Sequence, residues 1–140
     1  METDFREELK RKIEPTKEVD PKILEVVNYA YQGRRDIEVE IACPEFTSLC
    51  PRTGLPDFGR LTIRYTPDRM IIELKSLKYY LLQYRQVGSF YEHLLNQILG
   101  DLVSAAQPKH MEILGEFASR GGITTKVRVE YRQKEKKRNE

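Results

Sequence analysis

The chain has 140 residues and a formal net charge of +2, which fits one domain with a core large enough to fold without disulfides. A net charge so close to zero argues against stable nucleic-acid binding through bulk electrostatics. Because no apolar run could span a membrane and the N-terminus lacks the apolar core of a signal peptide, we expect a soluble, cytoplasmic protein without a membrane partner.

Both ends of the chain are rich in charged residues. Residues 1–19 and 133–140 carry many lysines, arginines and glutamates and little apolar periodicity. Such segments cannot bury enough apolar surface to offset the entropy lost on ordering. We therefore predict a single domain over residues 1–140 with flexible arms at the two ends.

Alternation of apolar and polar residues predicts strands in the first half of the chain. A half-buried strand is predicted within residues 33–42 and a second one over residues 61–65. Residues 66–69 place proline where a type I turn prefers it. This turn predicts a hairpin in which residues 70–74 return alongside the second strand.

Three stretches carry helix signals. An Asp-Pro pair predicts a short helix over residues 21–28. Apolar residues recur at helical spacing from Ser76 to a glycine at position 88. A second, longer apolar face follows Ser89, which fits the N-cap of a capping box in which Glu92 reaches back to the cap.

Two strands are predicted at the end of the chain, over residues 110–119 and 123–131. The order of elements is then a strand, a loop, two strands, two helices and two strands. This order predicts an α+β protein, with an antiparallel sheet and two helices on one face. Such a sheet has exposed edges, which favour pairing with other subunits.

Residues 45–59 predict a loop, because prolines and glycines occur there at high density. The loop contains Cys50 and, seven residues later, Asp57. A thiol and a carboxyl held at a fixed separation suit nucleophilic catalysis, in which a thiolate attacks and an acid moves a proton. The alternative is a small buried cysteine and a turn-forming aspartate. The other cysteine, Cys43, forms no metal-type cluster with it, so we expect no metal.

Four motifs resemble one known family in content and in order. Residues 48–59 read Ser-Leu-Cys-Pro-Arg-Thr-Gly-Leu-Pro-Asp-Phe-Gly and residues 73–80 read Glu-Leu-Lys-Ser-Leu-Lys-Tyr-Tyr. Residues 90–92 are Phe-Tyr-Glu, and residues 117–122 are Phe-Ala-Ser-Arg-Gly-Gly. They resemble, respectively, the nucleophile loop, the reduced-cofactor signature, the substrate carboxylate and the C-terminal turn of the NADPH-dependent 7-cyano-7-deazaguanine reductases. The resemblance covers roughly residues 36–131.

This resemblance implies a fold and an activity. The family has the tunnelling fold shared with GTP cyclohydrolase I, in which subunit sheets join into an oligomeric barrel and active sites form between subunits. Its members reduce the nitrile of 7-cyano-7-deazaguanine to 7-aminomethyl-7-deazaguanine with NADPH, through a cysteine thioimide, in the biosynthesis of the tRNA base queuosine. We therefore expect a homo-oligomeric oxidoreductase that uses NADPH.

The resemblance also implies roles for individual residues. The catalytic pair is Cys50 as nucleophile and Asp57 as proton donor. The residues expected to bind the substrate are Ile72, Glu73, Leu74, Tyr91 and Glu92. The residues expected to bind the cofactor are Lys75, Ser76, Lys78, Arg120 and Gly121. There is no Gly-x-Gly-x-x-Gly motif, so the cofactor is not bound as in a Rossmann fold.

One position departs from the family pattern, and two other functions stay open. Tyr91 stands where many members have histidine, which puts in doubt any proton transfer assigned to that histidine. Related amidine-forming enzymes that modify tRNA share the thioimide but use ammonia and lack the cofactor signature. The remaining alternative is an oligomeric binding module with an idle cysteine, in which Glu92 only caps its helix and the lysines form a solvated helix face.

Overall fold

The computed structural model describes residues 18–135, so most of the two predicted arms lies outside the described residues. The part described is an α+β layer of two antiparallel sheets and two α-helices, preceded by a 3-10 turn at Pro21–Ile23. Its helices and strands are β1 (Val26–Asn28), β2 (Val39–Leu49), β3 (Pro56–Thr66), β4 (Met70–Ile72), α1 (Leu74–Leu82), α2 (Tyr91–Ala106), β5 (His110–Arg120) and β6 (Ile123–Arg132). Within residues 18–135, neither helix has the length and apolar character needed to cross a membrane.

The larger sheet has the strand order β2-β3-β5-β6, and every neighbouring pair is antiparallel. Its inner face is apolar, as shown by Leu61, Ile63 and Met111, which have no solvent exposure. The outer face carries cross-strand ion pairs such as Arg64 Nε to Glu40 Oε1 at 2.6 Å. The predicted antiparallel sheet with both helices on one face is therefore confirmed.

Helix α2 lies directly on the inner face of the sheet. Its buried residues follow the predicted apolar face and are Leu94, Leu95, Ile98, Leu99, Leu102 and Ala106. A Cβ atom added at Gly115 would lie 3.0 Å from Leu95 Cδ2, so glycine permits the close approach of helix and strand. This contact sets the position of the N-terminal end of α2, where the predicted substrate carboxylate lies.

Strand β2 is longer and later in the sequence than predicted. It runs through Pro44, which a bulge between Cys43 and Phe46 accommodates by interrupting the ladder of hydrogen bonds. Strand β3 likewise begins early, at Pro56. The predicted loop over residues 45–59 is therefore wrong in extent, because only residues 50–55 connect the two strands.

The predicted hairpin across residues 66–69 is also wrong. Strand β4 pairs with β1 in a separate two-stranded sheet, and β5 takes the place beside β3. Strand β4 contacts β3 through a side chain, since the Tyr65 hydroxyl accepts a hydrogen bond from Ile72 N at 2.9 Å. Local turn chemistry could not reveal that residues far along the chain compete for the same strand edge.

Two predicted helix starts need correction. Asp20 does cap a turn, since its side chain accepts from Lys22 N, but only a 3-10 turn forms and the rest of residues 21–28 extends into β1. The capping box at Ser89 is wrong, because the N-cap of α2 is Phe90 and it makes no side-chain cap hydrogen bond. The Ser89 hydroxyl instead donates to Phe90 O.

Candidate active site

The hairpin formed by β2 and β3 holds the two predicted catalytic residues. Cys50 N donates to Leu55 O and Gly54 N donates to Cys50 O, both at 2.9 Å. Gly54 has a φ of 71°, a left-handed conformation that favours glycine. These bonds close a short, fixed turn with a half-buried Cys50 at its start and Asp57, only 4% exposed, on the returning strand.

The environment of Cys50 favours its thiolate. Burial raises the pKa of the thiol, but hydrogen bonds from the Thr53 hydroxyl and from the backbone N–H groups of Arg52 and Thr53 outweigh it, so the pKa is lowered overall. For Cys43, burial acts alone and raises the pKa. Because the thiolate is the nucleophile, Cys50 is the more reactive of the two thiols at neutral pH.

This contrast predicts different pH dependences of alkylation at the two thiols. We expect the iodoacetamide reaction of Cys50 to reach half its maximal rate at a lower pH than that of an ordinary thiol, and the reaction of Cys43 to do so at a higher pH. Peptide mass spectrometry after timed quenching measures both rates in one sample. Thr53→Ala should raise the pH midpoint for alkylation of Cys50 and leave the pH midpoint for Cys43 unchanged. Equal midpoints for the two thiols in the parent protein would contradict the assignment of Cys50 as the more reactive thiol.

A pocket of about 210 Å³ opens beside the thiol. Its lining combines the turn after β2, the start of β3, the N-terminal end of α2 and the end of β5. The residues that line it are Cys50, Pro51, Asp57, Ser89, Phe90, Tyr91, Glu92 and Arg120. The structure thus brings together five residues predicted separately from the sequence, namely Cys50, Asp57, Tyr91, Glu92 and Arg120.

Arg120 forms an ion pair with Asp57. Arg120 Nε lies 2.6 Å from Asp57 Oδ1, and Arg120 Nη2 donates to Pro56 O at 2.7 Å. Asp57 Oδ1 is buried and accepts no hydrogen bond with good geometry from any described residue. The contact is an ion pair without well-aligned hydrogen-bond geometry, so Oδ1 can still accept a further hydrogen bond.

Tyr91 packs into the wall of the pocket. Its ring stacks on that of Phe117, with centroids 3.6 Å apart and an interplanar angle of 7°. Burial, followed by the hydrogen bond with Asp57 and the charge of its carboxylate, raises the pKa of Tyr91 to about 12. The phenol therefore stays neutral near pH 7 and keeps its proton beside the Asp57 carboxyl.

Glu92 is exposed in the first turn of α2. With the capping box absent, its carboxylate makes no hydrogen bond or ion pair to another residue of the described range 18–135. A carboxylate at a helix N-terminus is also favoured by the helix dipole. Both oxygens of Glu92 are thus available to a ligand in the pocket.

Three of the predicted substrate residues lie outside this pocket. Glu73 caps α1, with Oε1 accepting from Lys75 N at 2.7 Å and Oε2 from Ser76 N at 2.6 Å. These bonds lower the pKa of Glu73, and the bond from Ser76 N has the largest effect. Its neighbours differ, since Ile72 is buried and Leu74 is 59% exposed.

The predicted cofactor residues are divided between two regions. Lys75 and Lys78 are exposed on α1, and Lys78 lines a separate hollow of about 280 Å³ together with Arg85. Arg120 lies at the Cys50 pocket, next to Gly121 in the turn between β5 and β6. Ser76 is buried, and its hydroxyl accepts from Glu25 N and donates to Glu73 O.

Sequence analysis did not identify Thr53 and Phe117 as site residues. Thr53 follows Cys50 by three residues in a tight turn, a spacing that could have indicated a hydroxyl near the thiol. Phe117 gave no such local signal, because its stacking on Tyr91 depends on how α2 crosses β5.

An α+β fold with a thiol of lowered pKa, a buried carboxyl and a free carboxylate around one pocket is the arrangement expected of an enzyme. Residues 56–136 match the family described as QueF-like protein. The chain is 53% identical over 111 residues to the NADPH-dependent 7-cyano-7-deazaguanine reductase of Chloroherpeton thalassium, covering 79% of this chain and 95% of that protein. It is 49% identical over 133 residues to that of Caldanaerobacter subterraneus subsp. tengcongensis, covering 95% and 98%. The chain belongs to the family of NADPH-dependent 7-cyano-7-deazaguanine reductases.

A solved structure supports the fold. The archaeosine synthase QueF-Like in the apo form superposes with a TM-score of 0.60 at 18% identity, covering 68% of this chain and 91% of that chain. The family resemblance and the tunnelling fold predicted from the four motifs are therefore confirmed.

Proposed function

We propose that this protein reduces the nitrile of 7-cyano-7-deazaguanine to the aminomethyl group with NADPH, in queuosine biosynthesis. The observation that carries the proposal is Cys50, with its lowered pKa, in one pocket with Asp57 and the unengaged carboxylate of Glu92. These are the nucleophile, the proton donor and the base anchor that the reaction needs.

Nitrile activation begins at Cys50. The Cys50 thiol passes its proton to the Asp57 carboxylate, the thiolate forms a bond to the nitrile carbon, one C–N π bond opens, and the nitrogen takes that proton from Asp57. The product is a thioimide that holds the substrate covalently. NADPH, when bound, supplies the two hydrides of the four-electron reduction. Tyr91 stays neutral and lies beside Asp57, so its phenol can orient the carboxyl without carrying charge itself.

The exposed cations suit the phosphates of NADPH. Lys75 and Lys78 are exposed on α1 and form no ion pair with another described residue. Gly121 has a φ of 56°, and a Cβ atom added there would meet no other atom within 4 Å, so a ligand can approach its backbone freely. We assign Lys75, Lys78, Arg120 and Gly121 to cofactor binding, whereas the bonds of Ser76 give that residue a role in anchoring α1.

The predicted site residues are divided between the Cys50 pocket and the start of α1, which suggests a site shared between subunits. We propose that residues 72–74 of a neighbouring copy complete the substrate pocket of each subunit, in an oligomeric barrel. Within residues 18–135, strand β6 of the larger sheet has one edge unpaired, and the outer edge of β2 is bonded only at Leu49, by residues 87–89. Such edges are suited to joining sheets between copies.

Light scattering at micromolar concentration tests this arrangement. We expect a homo-oligomer, because the residues assigned to one active site are divided between two regions of the chain. An active monomer of 16.5 kDa would contradict the shared site. A variant with Lys126→Pro in the edge strand β6 should weaken assembly, since proline cannot donate to an inter-strand ladder.

Glu92→Gln separates base recognition from any structural role. We expect the variant to melt close to the parent protein, because Glu92 makes no cap. It should bind 7-cyano-7-deazaguanine roughly ten- to a hundredfold more weakly, since the amide places a donor where the base also presents a donor. Calorimetric titration on the Cys50→Ala background isolates binding from covalent capture, and equal affinity would move the base anchor elsewhere.

The activity itself is tested by following NADPH absorbance with and without 7-cyano-7-deazaguanine. We expect oxidation of two NADPH for each base reduced, and the aminomethyl product by mass spectrometry. An adduct without NADPH oxidation, converted to an amidine by ammonia, would instead favour the related amidine-forming reaction. Absence of any adduct would contradict the proposed function.

A further inference from the structure

Ser48 is a buried serine without a hydrogen-bond partner. It has no solvent exposure, and its Oγ forms no hydrogen bond with any described residue. A buried hydroxyl that stays unpaired costs free energy, so an apolar side chain of similar size would be the more stable choice at this position. Ser48 is outside the lining of the Cys50 pocket, and the nucleophilic chemistry described above does not use it.

The strand register places Ser48 directly opposite Asp57. The two residues are Cα partners in the pairing of β2 with β3, and opposed residues of an antiparallel pair project to the same face. Asp57 Oδ1 is the other buried side-chain atom of residues 18–135 that lacks a hydrogen-bond partner. The unpaired hydroxyl and the carboxyl oxygen, whose contact with Arg120 is an ion pair rather than a well-aligned hydrogen bond, are therefore neighbours on one face of one hairpin.

We propose that Ser48 is a positioning residue for Asp57, whose hydroxyl donates a hydrogen bond to Oδ1 during catalysis. Directly opposed residues have Cβ atoms about 4.5–5.5 Å apart, so rotation about the Cα–Cβ bond of Ser48 can bring its hydroxyl within reach of the Asp57 carboxyl. One hydrogen bond then satisfies both buried atoms.

The bond would decide which carboxyl oxygen transfers the proton. Oδ1 already faces the guanidinium of Arg120 at 2.6 Å. With the Ser48 hydroxyl added, Oδ1 is occupied by two donors, so the transferable proton resides on Oδ2. As that proton leaves, the carboxylate that remains accepts a charge-assisted hydrogen bond from Ser48, which is stronger than the bond to the neutral acid.

This inference rests on the proposed nitrile reduction, and steady-state kinetics of the full-length protein test it. We expect Ser48→Ala to lower kcat about tenfold with little change in KM, because the bond strengthens only as the proton moves. Ser48→Cys, which keeps the shape but donates weakly, should behave like alanine, and Ser48→Thr should recover most of the activity. Cys43→Ala, on the same strand but beyond the bulge, is the matched control and should match the parent.

Two further measurements separate positioning from a structural role. Thermal unfolding of Ser48→Ala should show a Tm no lower than that of the parent, since an unpaired buried hydroxyl is removed. In the Asp57→Asn background, Ser48→Ala should have no further effect on kcat. Three outcomes would each overturn the role of Ser48. They are an unchanged kcat of active Ser48→Ala, an equal loss of kcat from Ser48→Ala in the parent and Asp57→Asn backgrounds, and a Ser48→Thr variant that recovers no activity. Failure of the parent protein to turn over would instead contradict the proposed function.

Discussion

Cys50→Ala is expected to abolish both the covalent adduct with 7-cyano-7-deazaguanine and the oxidation of NADPH. The nitrile carbon is a weak electrophile, so the reaction depends on a thiolate held beside the base. Cys50 has a lowered pKa and lines the pocket that contains Asp57, whereas burial raises the pKa of Cys43. Alanine removes the nucleophile and leaves the turn hydrogen bonds, which involve only the backbone of residue 50.

Intact-mass spectrometry of the protein mixed with the nitrile base measures the adduct directly. Cys43→Ala is the control, because it removes the other thiol of the chain and should leave adduct and turnover largely intact. The opposite pattern, with the adduct lost only in the Cys43 variant, would overturn the assignment of the nucleophile.

Asp57→Asn is expected to lower turnover by roughly two or more orders of magnitude, the range typical of a lost general acid. Asparagine keeps the shape of the side chain but has no acidic proton to give to the nitrile nitrogen. Binding of the nitrile base should suffer less, because Glu92 rather than Asp57 is assigned to anchor it. The effect should therefore appear mainly in kcat.

Asp36→Asn provides a matched control for this substitution. Asp36 is an exposed carboxylate that pairs with Lys109 at 2.8 Å, away from the Cys50 pocket, and exposed ion pairs contribute little to stability. Its variant should turn over like the parent. Near-normal turnover of Asp57→Asn, measured by NADPH absorbance, would show that Asp57 has only a structural role in β3.

Sequence patterns predicted those elements whose apolar periodicity is long. The face of α2 and the alternation of β5 and β6 were correctly predicted, because each buries one continuous stripe against a single layer. The hairpin after β3 was wrongly predicted, because its turn signal is local. Strand β4 instead pairs with β1, and the partners Asn28 and Met70 are more than forty residues apart in the sequence. Long-range competition for a strand edge leaves no mark in a short window of sequence.

In the candidate site, too, local motifs were predictable and contacts set by strand register were not. Family motifs predicted Cys50, Asp57 and Glu92 together, and the structure places them around one pocket. Ser48 lies within a quoted motif, yet its relation to Asp57 depends on the register of β2 and β3. The sequence likewise could not show that both oxygens of Glu73 are used by the backbone of α1, since this depends on where the helix begins.

The β2–β3 hairpin affects the order in which the active-site contacts of a newly made chain form during folding. Cys50 and Asp57 are seven residues apart, so closing one short loop brings them together. Arg120, by contrast, reaches Pro56 across 64 positions of the sequence, and such distant contacts form late in folding. We therefore expect the turn that activates the thiol to form before Arg120 reaches the site. We expect a partly folded chain to carry a thiolate open to peroxide, and its oxidation to sulfenic acid to compete with completion of the fold.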